Sequence, residues 1–257
     1  MRLPLTNRSF QYNDGFFETI IVTNGRLRFL SDHLERMREA AQALKLELPA
    51  NFFSGELEAR LLQLAQGCGA LALVRIKLKV WRAGAGLYTP QTNTIEWMAT
   101  AQATTFSPVT PYHVGVSDSV RTCYSPLSHF KGPNAPLYVL AGVEKQERGF
   151  DDLLLLNRQQ IVAELISSNI FWIRDNVLYT PALDTGCVNG ILRRNIVRHC
   201  QVAGIRVREV YFPVDKVQQA DAAFAANVTG LRPISSIGGI ALNSGHPLIS
   251  LLQDTLL

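Results

Sequence analysis

Three residues with complementary chemistry follow one another along this chain, and the first of them is Lys131. A lysine amine forms a Schiff base with an aldehyde, and Lys131 lies in a loop rich in Pro and Gly, residues 125–133. Glu164 follows within an apolar stretch, where a carboxylate is costly unless it is paired. Gly190 precedes a helix pattern, and the N–H groups at a helix start bind phosphate. An amine, a carboxylate for a ring nitrogen and a phosphate site together indicate pyridoxal phosphate (PLP).

Each of these residues, taken alone, also has an ordinary structural explanation. A loop lysine is usually a solvated charge, and a glutamate on a strand usually points outward in an alternating pattern. A glycine before a helix is common, and an arginine on a helix usually packs its stem along the surface. The order and spacing of the residues, rather than any one of them, therefore favour a cofactor site.

The order and spacing resemble those of the fold-type IV (class IV) PLP-dependent aminotransferase family. The resemblance runs from about residue 10 to residue 237, and within the family it is greatest to the bacterial aminodeoxychorismate lyases. The motifs that carry it are Lys131 with Asn134, Glu164, Ser167-Ser168-Asn169-Ile170-Phe171-Trp172, Tyr179-Thr180-Pro181 and Val188-Asn189-Gly190-Ile191-Leu192-Arg193.

This resemblance implies a role for each residue at the cofactor. Lys131 would be the catalytic residue, joined to PLP and later moving a proton at the substrate carbon, while Glu164 would face the pyridinium nitrogen. Arg36, from the run His33-Leu-Glu-Arg36, would add a positive charge at the phosphate. The implied cofactor-binding residues are Lys131, Glu164, Arg36, Ser167, Ser168, Asn169, Gly190, Ile191, Leu192, Asn227 and Val228.

Two of these positions depart from the family pattern. Leu192 stands where the family usually has Thr, so that only its backbone contact with the phosphate carries over. Asn227 stands where many relatives have Thr, and its side chain would supply the hydrogen bond with a different donor.

The resemblance extends to residues for the substrate and to a partner. The segment Asn13-Asp-Gly-Phe-Phe-Glu-Thr19 resembles the family's Gly-Asp-Gly-Val-Phe-Glu-Thr element, which implies that Phe17 and Glu18 lie near the substrate. Arg82, in the loop after an alternating strand, is our candidate for binding a substrate carboxylate. The family resemblance also implies a homodimer whose site borrows loop residues from the partner.

The composition is typical of a soluble globular protein. The 257 residues carry a net charge of +4, with 47% hydrophobic and 18% charged residues, and no block of Lys and Arg indicates nucleic-acid binding. The mild basic balance favours an anionic small molecule as ligand. No apolar stretch predicts a membrane span or a signal peptide, and the four cysteines show neither CxxC nor metal-ligand spacing. We therefore expect a cytoplasmic protein with free thiols and no metal site.

The periodicity predicts two α+β domains, residues 1–106 and 107–257, with mixed sheets and flanking helices. The resemblance adds that this is the fold of the fold-type IV enzymes, like that of D-amino acid aminotransferase. A polar, Pro-bearing linker is predicted at 101–112, a hairpin turn at Asn24-Gly25, and a helix capped by Ser31 or Asp32 after it. Further strands are predicted at 73–81, 94–100, 114–116, 153–156, 161–165, 170–174, 177–179, 205–211 and 222–226, and helices at 136–148, from near Gly190, and after Pro213.

The leading hypothesis for function is a PLP-dependent lyase resembling aminodeoxychorismate lyase, which eliminates pyruvate to give 4-aminobenzoate. The small-residue loop that begins at Arg82 is compatible with a pocket for the cyclohexadiene ring of such a substrate. A class IV aminotransferase for branched-chain or D-amino acids is the first alternative. A non-catalytic ligand-binding protein that kept the fold is the second.

Overall fold

The computed structural model describes residues 3–69, 73–105 and 110–257. The chain forms two compact units, the first made of Met1–Ser107 with Phe130–Pro133 and the second of Pro108–His129 with Asn134–Leu257. The predicted domain boundary after residue 106 falls on residues 106–109, outside the described residues, so this boundary stays a prediction. Residues 130–133 belong to the first unit, although the sequence groups them with the second domain.

The first unit contains a four-stranded antiparallel sheet. Its strand order is β2-β1-β3-β4. The hairpin predicted at Asn24-Gly25 is confirmed, and both residues have the positive φ that this tight turn needs. The elements are α1 (Arg8–Tyr12), β1 (Gly15–Thr23), β2 (Arg26–Leu27), α2 (Leu30–Leu44), α3 (Gly55–Gln66), β3 (Leu73–Arg82) and β4 (Ile95–Thr104).

Several predictions for this unit need correction. Neither Ser31 nor Asp32 caps α2, because Phe29 adopts a left-handed conformation and Leu30 is already helical. Arg82 is the last residue of β3 rather than part of the loop after it. The strand β4 runs to Thr104, so the first residues of the predicted linker continue the strand. The helices α1 and α3 have no counterpart in the prediction.

The alternation predicted for β3 is confirmed. Val74, Ile76, Leu78 and Val80 are at most 2% exposed, and the residues between them lie on the other face of the sheet. Glu18 of β1 lies opposite Leu78 and bonds to α2, so this helix covers the apolar face. Burying each such side chain stabilises the unit by roughly 1.5–3 kcal/mol.

The second unit is built on a nine-stranded mixed sheet. Its strand order is β10-β9-β8-β11-β12-β5-β6-β7, with β13 paired to β12. Parallel pairs form between β9 and β10, β5 and β12, and β5 and β6, and the remaining pairs are antiparallel. Its elements are β5 (Tyr112–Thr122), α4 (Ala135–Arg148), β6 (Asp152–Asn157), β7 (Val162–Leu165), β8 (Asn169–Arg174), β9 (Val177–Pro181), a 3₁₀ turn (Leu183–Thr185), α5 (Ile191–Val202), β10 (Val207–Val210), α6 (Val214–Gln218), β11 (Ala222–Asn227), β12 (Gly230–Ile237), β13 (Ile240–Ala241) and α7 (Pro247–Leu256).

The α+β class with mixed sheets is confirmed, as are most predicted elements of this unit. All six residues of β6 are buried, as expected for a strand covered on both faces. The helix α4 ends at Gly149, which adopts the left-handed conformation (φ 70°) of a common helix stop. The prediction is wrong in ending at 222–226, because β12, β13 and α7 follow. Within the described part of the chain, no helix is long and apolar enough to cross a membrane.

Candidate functional site

Glu164 is a buried carboxylate in the middle of the second unit. Its residue is 3% exposed, which rules out the outward-facing position that an alternating strand would give it. Oε1 accepts a hydrogen bond from the Tyr138 hydroxyl at 2.7 Å, and Oε2 accepts one from the Val188 backbone N–H at 3.1 Å. One donor belongs to α4 and the other to the loop before α5, so two elements fix the orientation of the carboxylate.

Tyr138 is a site residue that the sequence analysis missed. Burial, together with the charge of Glu164 and their hydrogen bond, raises the pKa of Tyr138 far above its ordinary value. Burial and Glu164 also raise the pKa of the nearby Cys187 thiol to about 12. Both groups therefore stay protonated at neutral pH. Nothing in the spacing around Tyr138 reveals this contact, because its partner is 26 residues away.

The start of α5 follows Val188, the residue whose backbone N–H bonds to Glu164. Gly190 is the N-cap, and a glycine has no side chain with which to cap this helix start. A Cβ at Gly190 would lie 2.0 Å from Oδ1 of Asn169, whose Nδ2 donates to the Val188 carbonyl at 2.8 Å. The side chains of Ile191 and Leu192 are buried, so these two residues offer only their backbone N–H groups. The predicted backbone contact of Leu192 with a phosphate stays a prediction.

The turn between β7 and β8 is tied to the end of β11. Asn227 donates through Nδ2 to Ser168 Oγ at 3.0 Å and to the Ser167 carbonyl at 3.3 Å. Its Oδ1 accepts from the backbone N–H of Thr229, which follows Val228 in the next turn. The structure thus brings Asn227 together with the two serines, and its predicted contact with a phosphate stays a prediction.

The residues of the second unit fit PLP. A buried carboxylate suits a protonated ring nitrogen, and an uncapped helix start behind a glycine suits a phosphate. The loop that leads to Lys131 is tied to this region, because the His129 carbonyl accepts from the Asn189 N–H at 3.1 Å. Lys131 follows His129 by two residues along the chain.

In the first unit, β1 holds the backbone of Lys131. The Lys131 carbonyl accepts from the Phe17 N–H at 2.9 Å, and the Gly132 carbonyl accepts from Asn13 Nδ2 at 2.6 Å. A Cβ on Gly132 would lie 2.4 Å from the Gly15 carbonyl oxygen, so the two backbones approach as closely as glycine permits. The segment that the sequence analysis assigned to the substrate therefore also positions the lysine loop.

Glu18 and Arg36 form a buried ion pair on the α2 side of this sheet. Arg36 donates through Nε to Glu18 Oε1 at 2.8 Å and through Nη2 to Oε2 at 2.6 Å, and His33 Nδ1 lies 2.7 Å from Oε2. Burial raises the pKa of Glu18, but Arg36 and His33 outweigh it and bring this pKa down to about 2. Glu18 therefore faces α2, and its expected place near the substrate, like the phosphate contact of Arg36, stays a prediction.

Arg82 is enclosed by protein acceptors. It is 7% exposed and donates to Asp14 Oδ2 at 2.9 Å, to Asn93 Oδ1 at 2.5 Å and to the Leu44 carbonyl at 2.6 Å. The last carbonyls of a helix need such donors, and Arg82 supplies one to the end of α2. This geometry favours a structural role for Arg82 over the predicted contact with a substrate carboxylate.

Comparison with known proteins gives consistent matches along the chain. Residues 15–237 match the family model described as amino-transferase class IV. The aminodeoxychorismate lyase of Vibrio harveyi is 27% identical, with 91% of this chain and 87% of the relative covered. The D-alanine aminotransferase of Bacillus licheniformis is 29% identical, with 95% and 86% covered.

Solved structures show the same fold. The branched-chain aminotransferase of Thermoproteus uzoniensis superimposes with a TM-score of 0.89 at 23% identity, covering 99% of this chain and 88% of that one. The 4-amino-4-deoxychorismate lyase of Pseudomonas aeruginosa gives a TM-score of 0.84 at 24% identity, covering 100% and 94%. The fold-type IV architecture expected from the sequence is confirmed.

The close approach of Gly132 to β1 predicts that Gly132→Ala displaces the lysine loop. We expect the variant to keep its far-UV circular dichroism but to take up PLP covalently at well under half the wild-type yield. Borohydride reduction followed by intact-mass measurement gives that yield. Gly245→Ala is the control, because a Cβ there would make only an ordinary contact, 3.6 Å from Asn243 Oδ1. Equal yields in both variants would show that the approach at Gly132 is unimportant.

The hydrogen bond from Tyr138 to Glu164 predicts a loss of stability in Tyr138→Phe. Removing one donor from a buried carboxylate should lower the free energy of unfolding by roughly 1.5–3 kcal/mol, measured by urea denaturation. Tyr179→Phe is the matched control, since Tyr179 is also partly buried and packs its ring against Trp172. We expect the control to change stability by less than about 0.5 kcal/mol. A smaller loss in Tyr138→Phe than in the control contradicts the assignment.

Proposed function

This chain belongs to the class IV aminotransferase family of PLP-dependent enzymes, and we propose that it acts as a lyase on aminodeoxychorismate. The reaction eliminates pyruvate and leaves 4-aminobenzoate. The observation that carries the proposal is the match to the Vibrio harveyi aminodeoxychorismate lyase over 91% of this chain. The small residues at 83–86, a composition compatible with a pocket for a ring-shaped substrate, support it.

A second candidate is an aminotransferase for D-amino acids or branched-chain amino acids. It is favoured by the Bacillus licheniformis D-alanine aminotransferase, which is 29% identical against 27% for the lyase. The third candidate, a non-catalytic binding protein, gains no such support. It would bury the carboxyl group of Glu164 at a cost without using it for chemistry.

In the proposed reaction, the residues of this chain divide three tasks. Bound PLP supplies an electron-withdrawing ring next to the substrate carbon that carries the amine. Lys131 would hold the cofactor covalently, and its amine, once displaced by the substrate amine, would take a proton from that carbon. Glu164, oriented by Tyr138 and Val188, would keep the ring nitrogen protonated. The backbone at Gly190 would hold the phosphate.

The chemistry of the lyase ends with a bond cleavage that a transaminase does not make. The bond between the ring and the oxygen of the enolpyruvyl group breaks, and that group takes up a proton and leaves as pyruvate. With the proton on the amine-bearing carbon already removed, the ring becomes aromatic as this bond breaks, which drives the elimination. A transaminase instead returns the proton to the cofactor and releases a keto acid.

The protein acts as a homodimer in the cytoplasm. The free state of all four cysteines is in keeping with a reducing compartment, which cell fractionation tests. Support for the dimer comes from an apolar face of α4, where four side chains are 39–65% exposed: Leu137, Val139, Leu140 and Val143.

Sedimentation velocity tests the dimer. We expect wild-type protein to have twice the chain mass of 28.5 kDa, and Leu140→Lys to shift it towards a single chain, because a charge opposes burial of this face. Val202→Lys, on an 85% exposed position of α5, is the control and should leave the mass unchanged. A single-chain mass for the wild type would exclude the homodimer.

The function is tested with PLP-loaded enzyme and two substrate sets. We expect aminodeoxychorismate to give equal amounts of pyruvate and 4-aminobenzoate, and leucine or D-alanine with 2-oxoglutarate to react slowly. Lys131→Ala should lower the rate by roughly 10²- to 10⁴-fold, because it removes the proton-transfer group. Lys216→Ala, at an exposed position, should leave it unchanged. Efficient keto-acid exchange without formation of 4-aminobenzoate would favour the aminotransferase hypothesis. Inactivity in both assays would favour the non-catalytic binding protein.

A further inference from the structure

Two lysines stand side by side on the face of the first unit's sheet that α2 does not cover. Lys77 and Lys79 alternate with the buried residues of β3, so their side chains project from the same face about 7 Å apart along the strand. Lys77 Nζ lies 4.9 Å from the centre of the Phe17 ring. Lys79 Nζ donates to Asn13 Oδ1 at 3.5 Å.

Neither ammonium group forms an ion pair with a carboxylate of the described residues. The acidic residues of strands β1, β3 and β4 are Glu18 and Glu96. Glu18 is bound to α2 on the opposite face, and Glu96 accepts from Trp81 Nε1 at 3.0 Å and from an asparagine of the N-terminal segment. Burial and the charge of Lys77 lower the pKa of Lys79. A bound anion would reduce the repulsion between the two ammonium groups.

The same two residues that contact these lysines also hold the lysine loop. Asn13 accepts from Lys79 through Oδ1 and donates through Nδ2 to the Gly132 carbonyl. Phe17 lies under Lys77 and donates its N–H to the Lys131 carbonyl. The two ammonium groups therefore contact the same two residues that hold the backbone of the Lys131 loop. Arg82, the other cation considered for the substrate, is already enclosed by protein acceptors.

We propose that Lys77 and Lys79 bind the two carboxylates of a dicarboxylate substrate, with the Phe17 ring as the apolar surface between them and the lysine loop. This inference rests on the proposed function, because aminodeoxychorismate carries one carboxylate on its ring and one on its enolpyruvyl group. It assigns substrate recognition to the open face of the small sheet.

Binding of chorismate to PLP-loaded enzyme, followed by calorimetry, tests the inference. Chorismate has the same two carboxylates but no amine, so it binds without reacting with the cofactor. Each charge-assisted contact removed in Lys77→Gln or Lys79→Gln should weaken binding roughly 10- to 100-fold, with PLP content unchanged. Arg75→Gln is the matched control, because Arg75 lies on the same face of β3 and donates to Gln102. It should bind chorismate within about two-fold of wild type.

The outcomes separate this inference from the function. If the wild type makes 4-aminobenzoate and the lysine variants bind chorismate normally, the lysine site is wrong and the lyase stands. In the other case, the wild type makes no 4-aminobenzoate, while the KM for 2-oxoglutarate rises in both lysine variants but not in Arg75→Gln. The dicarboxylate site then stands and the lyase proposal is wrong. An equal loss of chorismate affinity in Arg75→Gln would show that the effect comes from general surface charge, and it would overturn the inference.

Discussion

The contact between two glycine backbones sets the position of the loop that carries Lys131. Gly132 lies against Gly15 so closely that a Cβ would be 2.4 Å from the Gly15 carbonyl oxygen. Gly15 is equally constrained on its other side, where a Cβ would be 2.2 Å from the Val80 carbonyl oxygen. The backbones of the loop, β1 and β3 therefore lie in direct contact. Because Lys77 and Lys79 belong to β3, this contact also determines where their side chains lie.

The buried carboxylates of Glu18 and Glu164 are stabilised in different ways. Glu18 is held by the guanidinium of Arg36 and by His33, which together lower its pKa despite burial. Glu164 is oriented by a hydroxyl and a backbone N–H, donors that fix direction without adding charge. An ion pair suits a permanent connection between a strand and a helix. Directional donors suit a carboxylate whose proposed task is to face a ring nitrogen.

Local signals in the sequence predict the local structure well, but they do not predict the long-range contacts. The Asn24-Gly25 hairpin and the alternation of β3 follow from turn chemistry and a period of two. The donors to Glu164 come from 24 and 26 residues away, and Arg82 reaches Leu44 across 38. No periodicity encodes such partners, so the candidate residues were found by resemblance and their contacts only by the structure.

Much of the geometry around the lysine and Glu164 is made by main-chain groups. The N–H of Phe17 and the N–H of Val188 each hold a key partner, and neither bond depends on the identity of the side chain. An alanine scan would pass over these two contacts, whereas replacing the amide with an ester would expose them. Side chains at such positions are free to diverge while the arrangement persists, which helps to explain how chains sharing little more than a quarter of their residues keep one architecture.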